Sequence, residues 1–159
     1  MAATRTLVIA LATVGVLALG GCAAGPDTTD AATDREAVRA ITLAESQSGG
    51  RAFELEGDDG EWEVHVATDG RETEVRVSAD GGEVRSSRQG DTLDGDDQAR
   101  LDAAVTTLAD AVRIAAARTP GGARIERVEL DEESGTTVWE VSPGGGTTVR
   151  VSASDGAVL

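Results

Sequence analysis

The sequence has no lysine and no tyrosine, and it contains one cysteine, one histidine and 2% aromatic residues. Without lysine, Schiff-base catalysis is excluded, and a single cysteine cannot form a disulfide within the chain. The one histidine, His65, is predicted to lie mid-strand on the polar face, flanked by Glu63, and no G-x-S-x-G, H-E-x-x-H or phosphate-binding motif is present. These absences argue against an enzyme.

Negative charge dominates what is present. The chain has 29 acidic residues against 14 basic ones, all of them arginine, and its formal net charge is −15. Such a chain repels phosphate backbones, which excludes nucleic acid as a partner and leaves a basic protein open. The acidic cluster at 91–97 lacks the closing glutamate of an EF-hand calcium loop, so we read it as a solvated linker whose aspartates cap the next helix, with calcium binding as the alternative. No metal and no cofactor is predicted.

The first residues are typical of an export signal. Arg5 precedes an uncharged run from Leu7 to Leu19, which is shorter than the roughly 20 residues that span a bilayer. The run ends in Leu19-Gly20-Gly21-Cys22, which resembles the lipobox of bacterial lipoproteins. We therefore predict a signal peptide at 1–21, lipidation of Cys22, and a membrane-anchored protein on the extracytoplasmic side.

A flexible tether is predicted at 22–33, followed by a first structural unit at 34–88. Thr33 and Glu36 fit a capping box, and Gly49-Gly50 closes the helix that they would start. Three short runs with alternating apolar and charged residues follow, which predicts an antiparallel sheet with one buried face. The runs are 52–56, 61–66 and 73–77.

The same order returns in the region 89–159, which we divide into a linker and a second unit. A polar stretch at 85–97 leads into one long predicted helix at 98–118, and Pro120-Gly121-Gly122 is expected to stop it. Three further strands are predicted at 125–130, 137–141 and 147–151. The helix carries one apolar stripe, made of Leu101, Val105, Leu108, Val112 and Ala115.

The two regions also match in letters. Trp62-Glu63-Val64 corresponds to Trp139-Glu140-Val141, and residues 73–79 correspond to 147–153. This pattern predicts an internal duplication and an α+β fold of two tandem units, each a helix plus a three-stranded antiparallel sheet. Both tryptophans alternate in phase with valines and are predicted to lie in the core.

These residues resemble the PepSY domain, with its aromatic-Glu-Val strand and a last strand closing in V-x-V-x-A-x-x-G-x-V. The resemblance covers roughly 34–159, with departures: tryptophan replaces the commoner tyrosine, and Ser-Ala replaces Asp-Ala in the last strand. It implies a unit found in propeptides of secreted metallopeptidases, where it is thought to hold the peptidase inactive, and alone in envelope proteins. The family has no catalytic residues of its own.

The alternation in the first unit places many carboxylates on one sheet face, where His65 and Arg76 are expected to be the only basic members. This face is either an ordinary solubilising surface or a docking surface for a basic partner, and exposed sheet edges offer a second route to binding. The predicted partner-binding residues are Glu54, Glu56, Glu61, Glu63, Glu72 and Glu74.

The sequence therefore predicts a lipid-anchored binding or regulatory module, with an envelope or secreted peptidase as one candidate partner. The alternative is a structural envelope lipoprotein or spacer. The oligomeric state stays open.

Overall fold

A computed structural model describes residues 30–119 and 123–159. The predicted signal peptide, Cys22 and the Pro120-Gly121-Gly122 stop lie outside the described residues. Within the described part, no helix is both long enough and apolar enough to cross a bilayer.

The first region folds as one helix and four strands. Helix α1 begins at Asp30, so Thr33, the predicted capping residue, lies inside it. Asp59-Gly60 and Asp69-Gly70 form two of the turns between strands, and all four residues have positive φ, as tight hairpins with right-handed twist require. The elements are α1 (Asp30–Ser48), β1 (Arg51–Asp58), β2 (Glu61–Thr68), β3 (Arg71–Ser78) and β4 (Val84–Thr92).

The stretch 85–97, for which only a polar segment was predicted, contains most of strand β4. This strand pairs antiparallel with β3, although most of its side chains are exposed. A strand exposed in this way carries no apolar alternation and is invisible to a pattern search. The predicted boundary between 88 and 89 falls within β4, and the division into two units there stays a prediction.

The second region contains two helices where one was predicted. Helix α2 spans Gly95–Ala103, α3 spans Leu108–Ala116, and the strands are β5 (Ile125–Glu133), β6 (Thr136–Pro143) and β7 (Val149–Ser152).

The long helix predicted at 98–118 is interrupted because two of its backbone amide groups form hydrogen bonds outside the helix. The amide groups of Val105 and Thr106 both donate to the carbonyl oxygen of Ala153, at 2.8 Å each. Thr107 then caps α3 by accepting a hydrogen bond from the Asp110 amide at 3.1 Å. Val105, predicted to be buried, is 75% exposed, because it lies in this break and not on the helical stripe.

The seven strands of the described residues form one antiparallel sheet in the order β4-β3-β2-β1-β5-β6-β7. The two regions are thus joined through their first strands, and Leu55 of β1 lies opposite Val128 of β5. Helices α1 and α3 contact each other and pack on the strands of their own regions. The predicted α+β class is confirmed, and the sheets predicted for the two units merge into one.

The core lies between the sheet and the two helices. Trp62 and Trp139 are fully buried in it, as predicted. Each indole keeps a hydrogen bond: Trp62 Nε1 donates to the Ala79 carbonyl at 2.9 Å, and Trp139 Nε1 donates to the Thr106 carbonyl at 3.0 Å. Buried indoles need such partners, and Trp139 therefore binds the helix break to the sheet.

Candidate functional site: the open face of the sheet

The open face is the side of the seven-stranded sheet opposite α1 and α3. Cross-strand register places Glu54 opposite His65, and Glu56 opposite Glu63. All six glutamates predicted as a partner-binding face lie on this side. The face continues across β5, β6 and β7 through Arg127, Glu129, Glu140 and Arg150.

The prediction that His65 and Arg76 are the only basic members of the first unit's face is wrong, because Arg88 of β4 also pairs with Glu74. Arg127 of β5 reaches across the junction between the two regions. Its guanidinium lies 2.7 Å from Glu54, 2.7 Å from Glu56 and 2.9 Å from Glu129. One cation therefore holds three carboxylates of two neighbouring strands.

A second group of ion pairs forms on β2, β3 and β4. Arg76 lies 2.5 Å from Glu63 and 3.5 Å from Glu74, and Glu74 also binds Arg88. The hydrogen bond from Arg88 holds the pKa of Glu74 below its usual range, and the hydrogen bond and charge of Arg76 lower that pKa further. Arg85 adds a longer contact to Glu61, at 3.9 Å.

These pairs divide the predicted glutamates into covered and accessible ones. The side chains of Glu63 and Glu74 are only 20% and 13% exposed, because their arginine partners lie over them. Glu56 and Glu61 are 38% and 41% exposed. A partner approaching this face would therefore meet Glu56 and Glu61 before the other two.

His65 lies near the centre of the first region's open face, with a side chain that is 17% exposed. Its Nδ1 is 2.5 Å from Glu72 Oε1, and its Nε2 is 3.3 Å from Glu63 Oε1. The ring of Phe53 lies 6.0 Å away, centroid to centroid. The imidazole thus bridges β2 and β3 through two carboxylates.

The environment favours the imidazolium form. Burial alone would lower the pKa of His65, but the hydrogen bond to Glu72 and the charges of Glu54, Glu72 and Glu63 outweigh it and raise the pKa. For Glu54, burial raises the pKa, although the positive charges of His65 and Arg127 act to lower it.

Both edges of the sheet are poor templates for another strand. The β3–β4 pairing has two register irregularities, and β4 carries Arg85 and Arg88. Strand β7 has four residues, and its outer side is partly occupied, because Val158 bridges Val151 and the Leu159 amide donates to the Arg150 carbonyl. Bulges, charges and short edges are the usual means of preventing edge-to-edge pairing, so edge binding is disfavoured here.

The acidic cluster at 91–97 has a structural role. Asp94 caps α2 by accepting hydrogen bonds from the amides of Asp96 and Asp97, at 2.9 and 2.8 Å, which confirms the capping prediction. Among the described residues, no group of three or more His, Cys, Asp or Glu side chains is arranged to bind a metal ion.

The family described as "Peptidase propeptide and YPEB domain", PepSY, matches residues 107–159. The match covers α3 and β5–β7, and the PepSY resemblance is thereby confirmed in the second region. No curated protein matches the chain. A crystal structure from Clostridium difficile 630, described as a "putative lipoprotein", is similar at 20% identity and a TM-score of 0.44, over 76% of this chain and 87% of that one.

Proposed function

We propose that this chain, which carries a PepSY domain at residues 107–159, is a lipid-anchored extracytoplasmic module that binds and regulates a protein partner. The first candidate partner is an envelope or secreted peptidase, because the matched family is named for peptidase propeptides. The module turns over no substrate. The anchor is the predicted lipidated Cys22, with the folded part held on the outer side of the membrane.

The observation that carries the proposal is the unequal use of the two sheet faces. One face is buried under α1 and α3, whereas each of the seven strands contributes at least one ion-paired side chain to the other face. The edges are protected, as described above. The open face is therefore the surface on which we propose that a protein partner docks.

The partner's surface should be basic where it meets the first region. The accessible glutamates Glu56 and Glu61 lie on different strands of this face, and only Glu56 has a cation within 3 Å. Electrostatic complementarity of this type acts mainly on the association rate and weakens as salt rises. Glu56 and Glu61 are the better test positions, because the side chains of Glu63 and Glu74 lie under their arginine partners and are less exposed.

The capture experiment compares three proteins on membranes from the cells that produce the chain. The wild type should cross-link a partner at low salt more than at high salt. The double variant Glu56→Gln/Glu61→Gln should capture less at low salt and lose its salt dependence. The control Asp96→Asn/Asp102→Asn removes the same charge from α2, outside the sheet, and should behave as the wild type.

The regulation experiment measures casein cleavage by the secreted and membrane fractions of the same cells. Adding purified mature protein should change the cleavage rate in a saturable way, and Glu56→Gln/Glu61→Gln should shift the titration to higher concentration.

In the capture experiment, salt-independent capture that is equal for all three proteins would remove the open face as the docking surface.

A structural envelope lipoprotein or spacer remains the alternative. It predicts no saturable partner and no change in peptidase activity. Loss of the protein would then alter envelope integrity, for example detergent sensitivity, and Glu56→Gln/Glu61→Gln would restore it as well as the wild type does.

A further inference from the structure

We propose that His65 is a proton-operated clamp that ties strands β2 and β3 together on the open face and releases one carboxylate when it loses its proton. The device is independent of which partner the protein binds. It rests on the two contacts of the ring and on what surrounds them.

The donor count of the imidazole carries the argument. Both ring nitrogens face carboxylate oxygens, Nδ1 at Glu72 and Nε2 at Glu63. Only the imidazolium has two N–H donors, whereas the neutral ring has one donor and one acceptor. Deprotonation therefore places a nitrogen lone pair against a carboxylate, and one of the two contacts must open.

One of the two contacts of His65 lies within β2, and the other joins β2 to β3. Glu63 is two positions before His65 on β2, whereas Glu72 belongs to β3. The weaker contact at 3.3 Å is to Glu63, which also has Arg76 as a partner at 2.5 Å. Glu72 has no other cation among the ion pairs of the described residues, so its pairing depends on the charge of His65.

The other charged groups around the ring come from every neighbouring strand. Glu54 and Glu56 face it from β1, and Glu74 and Arg76 face it from β3. Arg88 of β4 and Arg127 of β5 are tied to Glu74 and to the β1 glutamates. The arginines stay charged over this pH range, so His65 is the cation whose deprotonation changes the net charge of this cluster near neutral pH.

The second region offers an internal comparison. Aligning Trp62-Glu63-Val64 with Trp139-Glu140-Val141 places Ser142 at the position of His65. Ser142 Oγ lies 3.1 Å from Thr148 Oγ1, a contact between two hydroxyls that does not titrate near neutral pH. The clamp therefore belongs to the first region alone.

The test uses the single histidine as its own reporter. In the folded chain, the imidazole NMR signals should titrate with a midpoint above that of the same chain unfolded in urea. Glu72→Gln should lower the folded midpoint, because it removes the closer carboxylate without changing side-chain size. The control Glu140→Gln makes the same change at the position equivalent to Glu63 in the second region, and should leave the midpoint unchanged.

A second readout follows the strands themselves. Amide exchange protection within β2 and β3 should fall as pH rises through the folded midpoint, while protection in β6 stays constant. His65→Gln should abolish the pH dependence in β2 and β3. A folded midpoint at or below the unfolded one would overturn the proposal. So would protection in β2 and β3 that does not change across the titration.

Discussion

Leu55 and Val128 lie directly opposite each other on the central strands β1 and β5. Leu55 also pairs with Val64, and Val128 pairs with Val141, which are the valines of the two Trp-Glu-Val segments. The strand order on either side is the one expected of two related units placed about a local twofold axis through this pair. The internal duplication itself stays a prediction.

This central pair sits beside the ion-pair cluster of Arg127, which supports our first prediction. Arg127→Gln leaves Glu54, Glu56 and Glu129 without their shared cation, and we expect the free energy of unfolding to fall by about 1 kcal/mol, since the guanidinium is half-exposed and screened. Urea unfolding measures the loss. High salt should shrink it, and Arg127→Lys should recover part of it. A loss equally large in molar salt would contradict the electrostatic origin.

The second prediction concerns the buried indole of the second region. Trp139→Ala should lower the stability by about 3–5 kcal/mol, because it empties a core site and frees the Thr106 carbonyl that the indole binds. Trp139→Phe keeps most of the volume but not the hydrogen bond, and should cost less. Thermal unfolding followed by circular dichroism compares the two variants. Equal losses would show that the hydrogen bond dominates.

The third prediction is the pH dependence of stability. The folded pKa values of His65 and Glu54 are raised, so their contributions are present below the unfolded pKa values and are lost as pH rises through the folded ones. The folded pKa of Glu74 is lowered, so its contribution is present above the unfolded pKa and is lost as pH falls. Stability should therefore peak in mildly acidic solution.

Urea unfolding between about pH 4 and pH 9 tests this profile. The decline on the alkaline side through neutral pH should be absent in His65→Gln, whereas the loss on the acid side that comes from Glu74 should remain. A wild-type curve that is flat from mildly acidic to mildly alkaline pH would contradict the assigned directions.

The fourth prediction concerns the lipid anchor and is based on the sequence alone. Wild-type protein should fractionate with membranes and carry lipid on Cys22, and Cys22→Ser should remain unlipidated. Mass spectrometry of the N-terminal peptide checks both. Recovery of the uncut wild type from the medium, without lipid, would refute the lipoprotein assignment.

The sequence predicted the elements that bury one apolar side. The tryptophans, the alternating strands and most of the helical stripe follow from periodicities of 2 and 3.6 residues, and these give the α+β class. Val105 fits the stripe by spacing, yet it lies in a helix break. The local signal for that break was Thr107 followed by Asp110, a capping pattern inside an apparently continuous helix.

The candidate site was harder to predict, because its charge balance depends on tertiary pairing. The six glutamates were placed on one face by alternation alone. Arg127 and Arg88 reach that face from strands whose neighbours the sequence does not specify. No pattern within one unit could show that β1 pairs with β5, so the face looked more acidic than it is.

The central pairing has a consequence for how the chain folds. The strands from β1 to β4 follow one another through short turns, whereas Glu54 and Arg127, which meet at the β1–β5 junction, are 73 positions apart in sequence. Closing so long a loop costs more chain entropy than forming a hairpin, and non-local pairing slows folding. We expect the hairpins of the first region to form early and the docking of β5 onto β1 to limit the rate. A chain emerging N-terminus first would then expose the edge of β1 that faces away from β2 until β5 arrives.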